Sequence, residues 1–297
     1  MRHQLRMAGA ALLAALMASA ATGQDAAPAP SDAAPREAAP VIAAGDWRVV
    51  APDNLLVIDT SKGRILVEMT PEAAPSHVAR MRLLAKAGFY DGLNWHRVID
   101  AFMAQTGDPL GTGEGQSWHP DLKAEFTFRR DAQTPFAAVA APAGALMGFV
   151  QSLPVQTQPD AVMRTTADGK VHAWGLYCPG VAGMARDDAS DSANSQFFLM
   201  RQAYPALDKR YTVWGRVVSG LDVVRALKFS PNPDGIVSDP DTMTRLRVAG
   251  DLAEAERPTV HVLSTSSAPF RALVETTRTA RGADFSVCDI DLPVQVD

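Results

Sequence analysis

The sequence predicts a mainly β protein. Short runs rich in Val, Ile, Leu, Phe and Trp recur between residues 55 and 250, and Gly, Pro, Asn, Asp and Ser punctuate them at short intervals. Few stretches repeat apolar residues at helical spacing. Many short strands separated by turn residues read as an all-β barrel or sandwich.

The elements follow in order. LLVIDTSKGRILVEM (55–69) holds two β-rich runs around Ser61, Lys62 and Gly63, the pattern of a hairpin. PEAAPSHVARMRLLAKAGFYDG (71–92) predicts a helix over about 75–87, with Pro75 in the first turn and Gly88 as the stop. Val78, Met81 and Leu84 or Ala85 would bury one face, and Arg80, Arg82 and Lys86 would take the other. Lys86 also suits the negative end of the helix dipole. His77 reads as an exposed first-turn residue. NWHRVIDAFMAQTGDP (94–109) reads as two strands, 94–99 and 102–106, joined at Asp100 and Ala101. GTGEGQ (111–116) is a glycine-rich loop, but no Lys and no clear helix follow, so it does not suit a phosphate.

Residues 131–176 place Pro and Gly so often that short strands or turns are expected there rather than a helix. GVAGMARDDASDSANSQFFLM (180–200) reads as strand, acidic loop, strand. YTVWGRVV (211–218) is a strand, LDVVRAL (221–227) a short helix and TRLRVAGD (244–251) a last strand. In the tail, 252–297, a helix is expected over 269–280 and a strand over 285–290.

Composition bounds the function. Of 297 residues, 47% are hydrophobic and 21% charged, as in a soluble globular protein. Arg2, His3 and Arg6 precede an apolar run ending in small residues, the pattern of a secretory signal over 1–23, cut after Ala20 or Gly23. An Ala/Pro-rich linker over 24–46 follows. Without Arg2 and Arg6, 26 basic residues face 33 acids, a charge of −7. That balance argues against nucleic acid. No later segment is apolar for the roughly 20 residues that a membrane span needs. Cys178 and Cys288 fit export, either as a disulfide or as two buried thiols.

The common catalytic constellations are missing: no H-E-x-x-H, paired C-x-x-C or G-x-S-x-G occurs. His96 should point away from Arg97 across the strand and serve a structural role. Asp187, Asp188 and Asp191 read as a solvated loop rather than a cation site. What remains is Arg97, a permanently charged five-donor fork among apolar neighbours. Phe102, Met103, Phe198 and Leu207 could form an apolar cup, with Gln105 and Gln196 as neutral polar ends. Such a set transfers no proton, but it can hold an apolar ring and aim N–H donors at an amide. Pairing of Arg97 with a distant acid over a plain core is the alternative.

FYDGLNWHRVIDAFMAQTGDPLGTG (89–113), GMAR with NSQFFLM (183–200) and LDKRYTVWGRVVSGLDVVRAL (207–227) together resemble the cyclophilins, the peptidyl-prolyl cis-trans isomerases. The resemblance covers about 54–250, interrupted by the 131–176 insert. It implies a closed eight-stranded antiparallel β-barrel capped by two helices, near 75–87 and 219–228, within a domain of 47–251 followed by an extension of 252–297. It further implies Arg97 as the catalytic donor and Phe102, Met103, Phe198 and Leu207 as walls of a proline pocket. Gln105 and Gln196 would be polar lining. Ala185, with Arg186 after it, would meet peptide backbone. Tyr211 would line the pocket and Gly113 its rim. No metal and no cofactor are implied.

The pattern departs from the family at Ala206, where an aromatic is common, with Tyr204 placed to lean in. Tyr211 replaces the usual His. Asp100, Ala101 and Thr106 stand where Pro and Gly are frequent. The insert is expected to pack beside the barrel and to narrow or extend the substrate path. The expected protein is a periplasmic, monomeric isomerase of unfolded or flexible proline-containing polypeptides. The rival is a non-catalytic polypeptide-binding holdase.

Overall fold

A computed structural model describes residues 41–297. The expected signal, and the linker up to residue 40, lie outside the described residues. In chain order the strands and helices are β1 (Trp47–Val49), β2 (Leu55–Thr60), β3 (Gly63–Met69), α1 (Pro75–Lys86), β4 (Leu93–Asn94), β5 (Arg97–Val98) and β6 (Met103–Thr106). There follow β7 (Phe128–Arg130), β8 (Ala137–Ala140), β9 (Leu146–Val150), β10 (Leu153–Thr157), β11 (Val171–Gly175), β12 (Val181–Met184) and β13 (Phe197–Met200). The chain ends with β14 (Val213–Ser219), α2 (Leu221–Ala226), β15 (Thr242–Val248), β16 (Val260–Leu263), α3 (Ala268–Arg281) and β17 (Val294–Val296).

The main body is one antiparallel sheet in the order β4-β15-β2-β3-β14-β12-β13-β6-β5. It differs from the expected closed eight-stranded barrel: it has nine strands, and no ladder joins its end strands. Only Trp95 and His96 separate β4 from β5, so the sheet curls until its two edges are neighbours. Consecutive strands linked that tightly have no room to pair. The free edge of β5 is met instead by a later segment, where Val98 N–H donates to Gly235 O (2.8 Å) and Val237 N–H to His96 O (3.0 Å).

The β2–β3 hairpin forms where expected, and Gly63 supplies its turn with φ 135°, a conformation that side chains resist. Both faces of this sheet are covered. Leu56, Ile58, Ile65 and Val67 point into the curl, with Trp95, Phe197 and Trp214. Leu55, Val57 and Leu66 point outwards into a second core with Phe149, Leu153, Val260 and Phe270. A strand buried on both sides reads as an unbroken apolar run, which is why LLVI lacks polar alternation.

The second core is roofed by the insert and the tail. The insert supplies β8 to β11 of an antiparallel five-stranded sheet, β7-β11-β10-β9-β8, whose β7 lies just before it, and this explains its short Pro- and Gly-bounded runs. In the tail, β16 lies between β1 and β17, and Phe270 of α3 meets Phe149 edge-on at 5.9 Å. The expected strand over 285–290 is instead irregular, with a short 3-10 turn at Val287–Asp289 capped by Ser286; the last strand lies further on, as β17. Among the described residues no helix is long and apolar enough to cross a membrane.

Two expectations for α1 are corrected. His77 is fully buried, with Nδ1 2.7 Å from Glu125 Oε2. The same carboxylate accepts the N–H groups of Ser76 and His77, so a distant acid caps the positive end of the helix. Arg80 is also buried, because its guanidinium reaches the carbonyls of Pro120 (2.7 Å) and Asn194 (3.3 Å).

Cys178 and Cys288 form a disulfide across a separation of 110 residues. In the chain-entropy account so long a loop constrains the unfolded chain strongly. Cys178→Ser with Cys288→Ser is therefore expected to reduce the unfolding free energy by about 2–5 kcal/mol. Urea titration of oxidised and double-Ser protein measures this, and coincident curves would refute it.

Candidate active site

The site is built on the β5–β6 hairpin and the neighbouring strand β13. Arg97 lies opposite Gln105, and Gln105 opposite Phe198, so the three side chains form a row on one face. Met103, two residues from Gln105, shares that face by strand periodicity. Gly183 of β12 lies opposite Phe198, where a Cβ would come within 2.6 Å of the ring, so only glycine lets that ring lie flat on the sheet. The ring also stacks on Tyr177 (5.8 Å between centroids) and meets Tyr211 edge-on (6.0 Å).

These residues surround an open hollow of about 350 Å³. Its lining is Arg97, Phe102, Met103, Gln105, Gly113, Ala185, Arg186, Phe198, Leu207 and Tyr211. Gln196 faces an adjoining hollow of about 220 Å³, which shares Gln105, Gly113, Ala185 and Arg186. Apart from Tyr204, every residue singled out from the sequence for a pocket thus lies at one or both hollows. No residue of the 131–176 insert lines either one. The insert instead joins the apolar cluster that holds Phe198 and Met103.

Arg97 is half-buried and has no carboxylate within ion-pair distance among the described residues. Its Nε–H donates to the carbonyl of Asp234 (2.8 Å) and its Nη1 to Gln105 Oε1 (3.2 Å). Burial lowers its pKa, but a guanidinium stays charged at any working pH. Gln105 Nε2 donates in turn to Gln196 Oε1 (2.9 Å), whose Nε2 donates to the carbonyls of Gly113 and Gly115 (both 2.8 Å). The glycine-rich loop is pinned from its other side by Asp108, which accepts from the N–H groups of Leu110, Thr112 and Gly113. Burial alone would raise the Asp108 pKa; these donors outweigh it and hold it below the usual carboxylate range. The loop therefore serves as a rim tied to Arg97 through two glutamines.

Arg186 braces the opposite rim. It lies 4.5 Å from the Tyr211 ring centre and 5.6 Å from that of Phe126, and donates to the carbonyls of Asp187, Asp188 and Arg210. Tyr204 does not enter the hollow; its ring packs on Phe102 at 4.6 Å, while Ala206 is exposed. His96 is buried, and burial lowers its pKa, which favours the neutral ring. Asp187, Asp188 and Asp191 are exposed, and among the described residues no cluster of His, Cys, Asp and Glu could hold a metal ion.

Sequence reasoning missed Asp208. It follows the wall residue Leu207, and its Oδ1 accepts the N–H of Tyr177 (2.9 Å), which ties the Phe198 wall to the Leu207 wall. Burial pushes its pKa up to about 6. No local pattern marks such a residue, because Tyr177 lies far away in the chain.

Residues 55–248 match the family model described as cyclophilin type peptidyl-prolyl cis-trans isomerase/CLD. A probable peptidyl-prolyl cis-trans isomerase of Brucella suis is 32% identical over 212 residues, spanning 67% of this chain and 85% of that one. Peptidyl-prolyl cis-trans isomerase B of Bacillus subtilis is 30% identical over 187 residues, 63% of this chain and 92% of that one. The crystal structure of cyclophilin AquaCyp293 from Hirschia baltica is similar with a TM-score of 0.77 and 34% identity, covering 84% of this chain and 93% of that one.

Asp208 carries a pH signature. An acid whose folded pKa is raised binds more protons folded than unfolded, so its ionisation destabilises the fold as pH climbs from about 4 to about 6. Asp208→Asn keeps an acceptor for Tyr177 and removes the charge. It is expected to raise the melting temperature at pH 7.5 and leave it nearly unchanged at pH 4. An equal effect at both pH values would rule out this origin.

Proposed function

The chain belongs to the cyclophilin-type peptidyl-prolyl cis-trans isomerase family, and we propose that its hollow catalyses rotation about X–Pro bonds in exported polypeptides, assisting their folding. The observation that carries this reading is Arg97. A charged donor fork faces an apolar cup and is held by a carbonyl and an amide rather than by a carboxylate.

The chemistry follows from the amide. Rotation about a peptide bond faces a barrier of about 18–20 kcal/mol because resonance must be broken. As the bond twists, the prolyl nitrogen loses resonance and gains a basic lone pair. A donor aimed there binds the twisted state more strongly than either planar isomer, which is the condition for catalysis. Each 1.36 kcal/mol removed from the barrier gives about tenfold in rate. Phe102, Met103, Phe198 and Leu207 would hold the proline ring while the preceding carbonyl turns. Ala185 and Arg186 would meet the substrate backbone.

Gln105 has a second task in this reading. It orients the guanidinium without neutralising it, which a carboxylate could not do. In the cell, removal of residues 1–23 would leave a periplasmic monomer acting on unfolded or flexible proline-containing chains. With 26 basic residues against 33 acids, a charge of −7, that chain gives no reason to expect nucleic acid as a partner. The holdase alternative gains no support from this site, since Arg97 keeps its charge and the insert lines neither hollow.

The test is an isomerisation assay on a proline peptide. Arg97→Ala is expected to lower kcat/KM by about 10²–10³-fold, the usual effect of losing one transition-state donor. Gln105→Glu is expected to lose at least tenfold in kcat as the new carboxylate pairs with Arg97, while Gln105→Ala loses less. Wild-type protein without activity would sink the reading, and so would full activity in Arg97→Ala.

A further inference from the structure

We propose that Tyr204 and Phe102 form an aromatic ledge that binds an apolar side chain of the substrate, one or two residues from the proline. The ledge lies on the flank of the proline remote from Ala185. The proposal rests on the reading of the hollow as a proline pocket, and it names the class of sequence that the pocket prefers.

Tyr204 is 43% exposed, yet it is held in place. Its N–H donates to Tyr177 O (2.8 Å), its carbonyl accepts from Leu207 N–H (3.1 Å), and its ring lies 4.6 Å from that of Phe102 at a tilt of 48°. A fixed aromatic face that continues a pocket wall into solvent offers apolar area at little entropic cost. The phenol oxygen remains solvated at its tip.

Strand register sets where the ledge lies. At one end of β13, Ala185 N–H bonds to Gln196 O; at the other, Arg201 N–H bonds to Phe102 O. Five residues separate those points on one strand, about 16 Å at the rise of a β-strand. Phe198 and Met103, the floor for the proline ring, lie between them. An extended polypeptide needs about five residues to cover that distance. A chain that enters beside Ala185 and seats its proline at Phe198 therefore leaves across Phe102 and Tyr204. Ala206, two residues after Tyr204, is exposed and contributes only a methyl group.

The ledge selects apolar rather than charged groups because the charges described beside it are already engaged. Asp100, at the same corner as Phe102, is paired with Arg201 at 2.5 Å. Lys209, just beyond Leu207, has its ammonium 4.5 Å from the centre of the Trp174 ring.

Two peptide series test the proposal on the purified chain, one varying the two residues before the proline and one the two after it, among Leu, Phe, Ser and Asp. Both kcat/KM and the equilibrium Kd are read. In one series only, Leu and Phe are expected to exceed Ser and Asp by about three- to tenfold, the size of an aromatic contact. Tyr204→Ser should flatten that ratio and Tyr204→Phe should keep it. Absence of any preference in wild-type protein overturns the ledge, and so does a preference that survives Tyr204→Ser. If no peptide is isomerised but the Kd values still show the Tyr204-dependent preference, the ledge stands and the isomerase reading falls.

Discussion

A guanidinium without a carboxylate is the constraint on which the site depends. A charge half-removed from water normally demands an opposite charge, and the described residues supply none within ion-pair distance of Arg97. It answers with dipoles, namely the Asp234 carbonyl and the Gln105 amide. Dipoles orient the fork yet leave its field intact, so the field remains available to whatever enters the hollow. The same logic extends outward. Gln105 is held by Gln196, and Gln196 by the carbonyls of the glycine-rich loop, so neutral groups make every contact between that loop and the arginine.

The pocket needs a stiff backing, and the second core provides it. Phe198 and Met103 share a cluster with Phe149, Leu153, Tyr177 and Cys178. Insert and tail thus pack against the outer face of the curled sheet rather than its mouth. Packed interiors resist small displacements, so walls anchored in such a core hold their spacing. The insert, whose length suggested a part in the substrate path, is a structural buttress by its contacts.

Local pattern made much of this legible before any coordinates. The β2–β3 hairpin, α1, α2 and the strands around GMAR and NSQFFLM follow from turn residues and spacing. Strand alternation set His96 apart from Arg97, but the site residues as a group were named by the resemblance of 89–113, 183–200 and 207–227 to the cyclophilins. What stayed hidden depends on distant partners. His77 and Arg80 look like surface residues until Glu125, Pro120 and Asn194 arrive from elsewhere. Asp208 is unremarkable until Tyr177 lies on it, and the pairing of β1 with β16 joins segments that share no signature. The strands that the insert adds to the five-stranded sheet were visible only as a preference for strands and turns, because nothing in its sequence fixes which run pairs with which.

The pairing of Trp47 with Leu263 has a bearing on how the protein is made. A ribosome releases Trp47 long before Leu263, so β1 must wait, unpaired, until β16 has been made. Until then its edge is open to wrong partners. The curled sheet can close its own hairpins early, but the part of its outer apolar face that the tail roofs stays bare until that segment arrives. The final forty residues therefore act as a latch, and a nascent chain interrupted before them would leave the workbench assembled but its back uncovered.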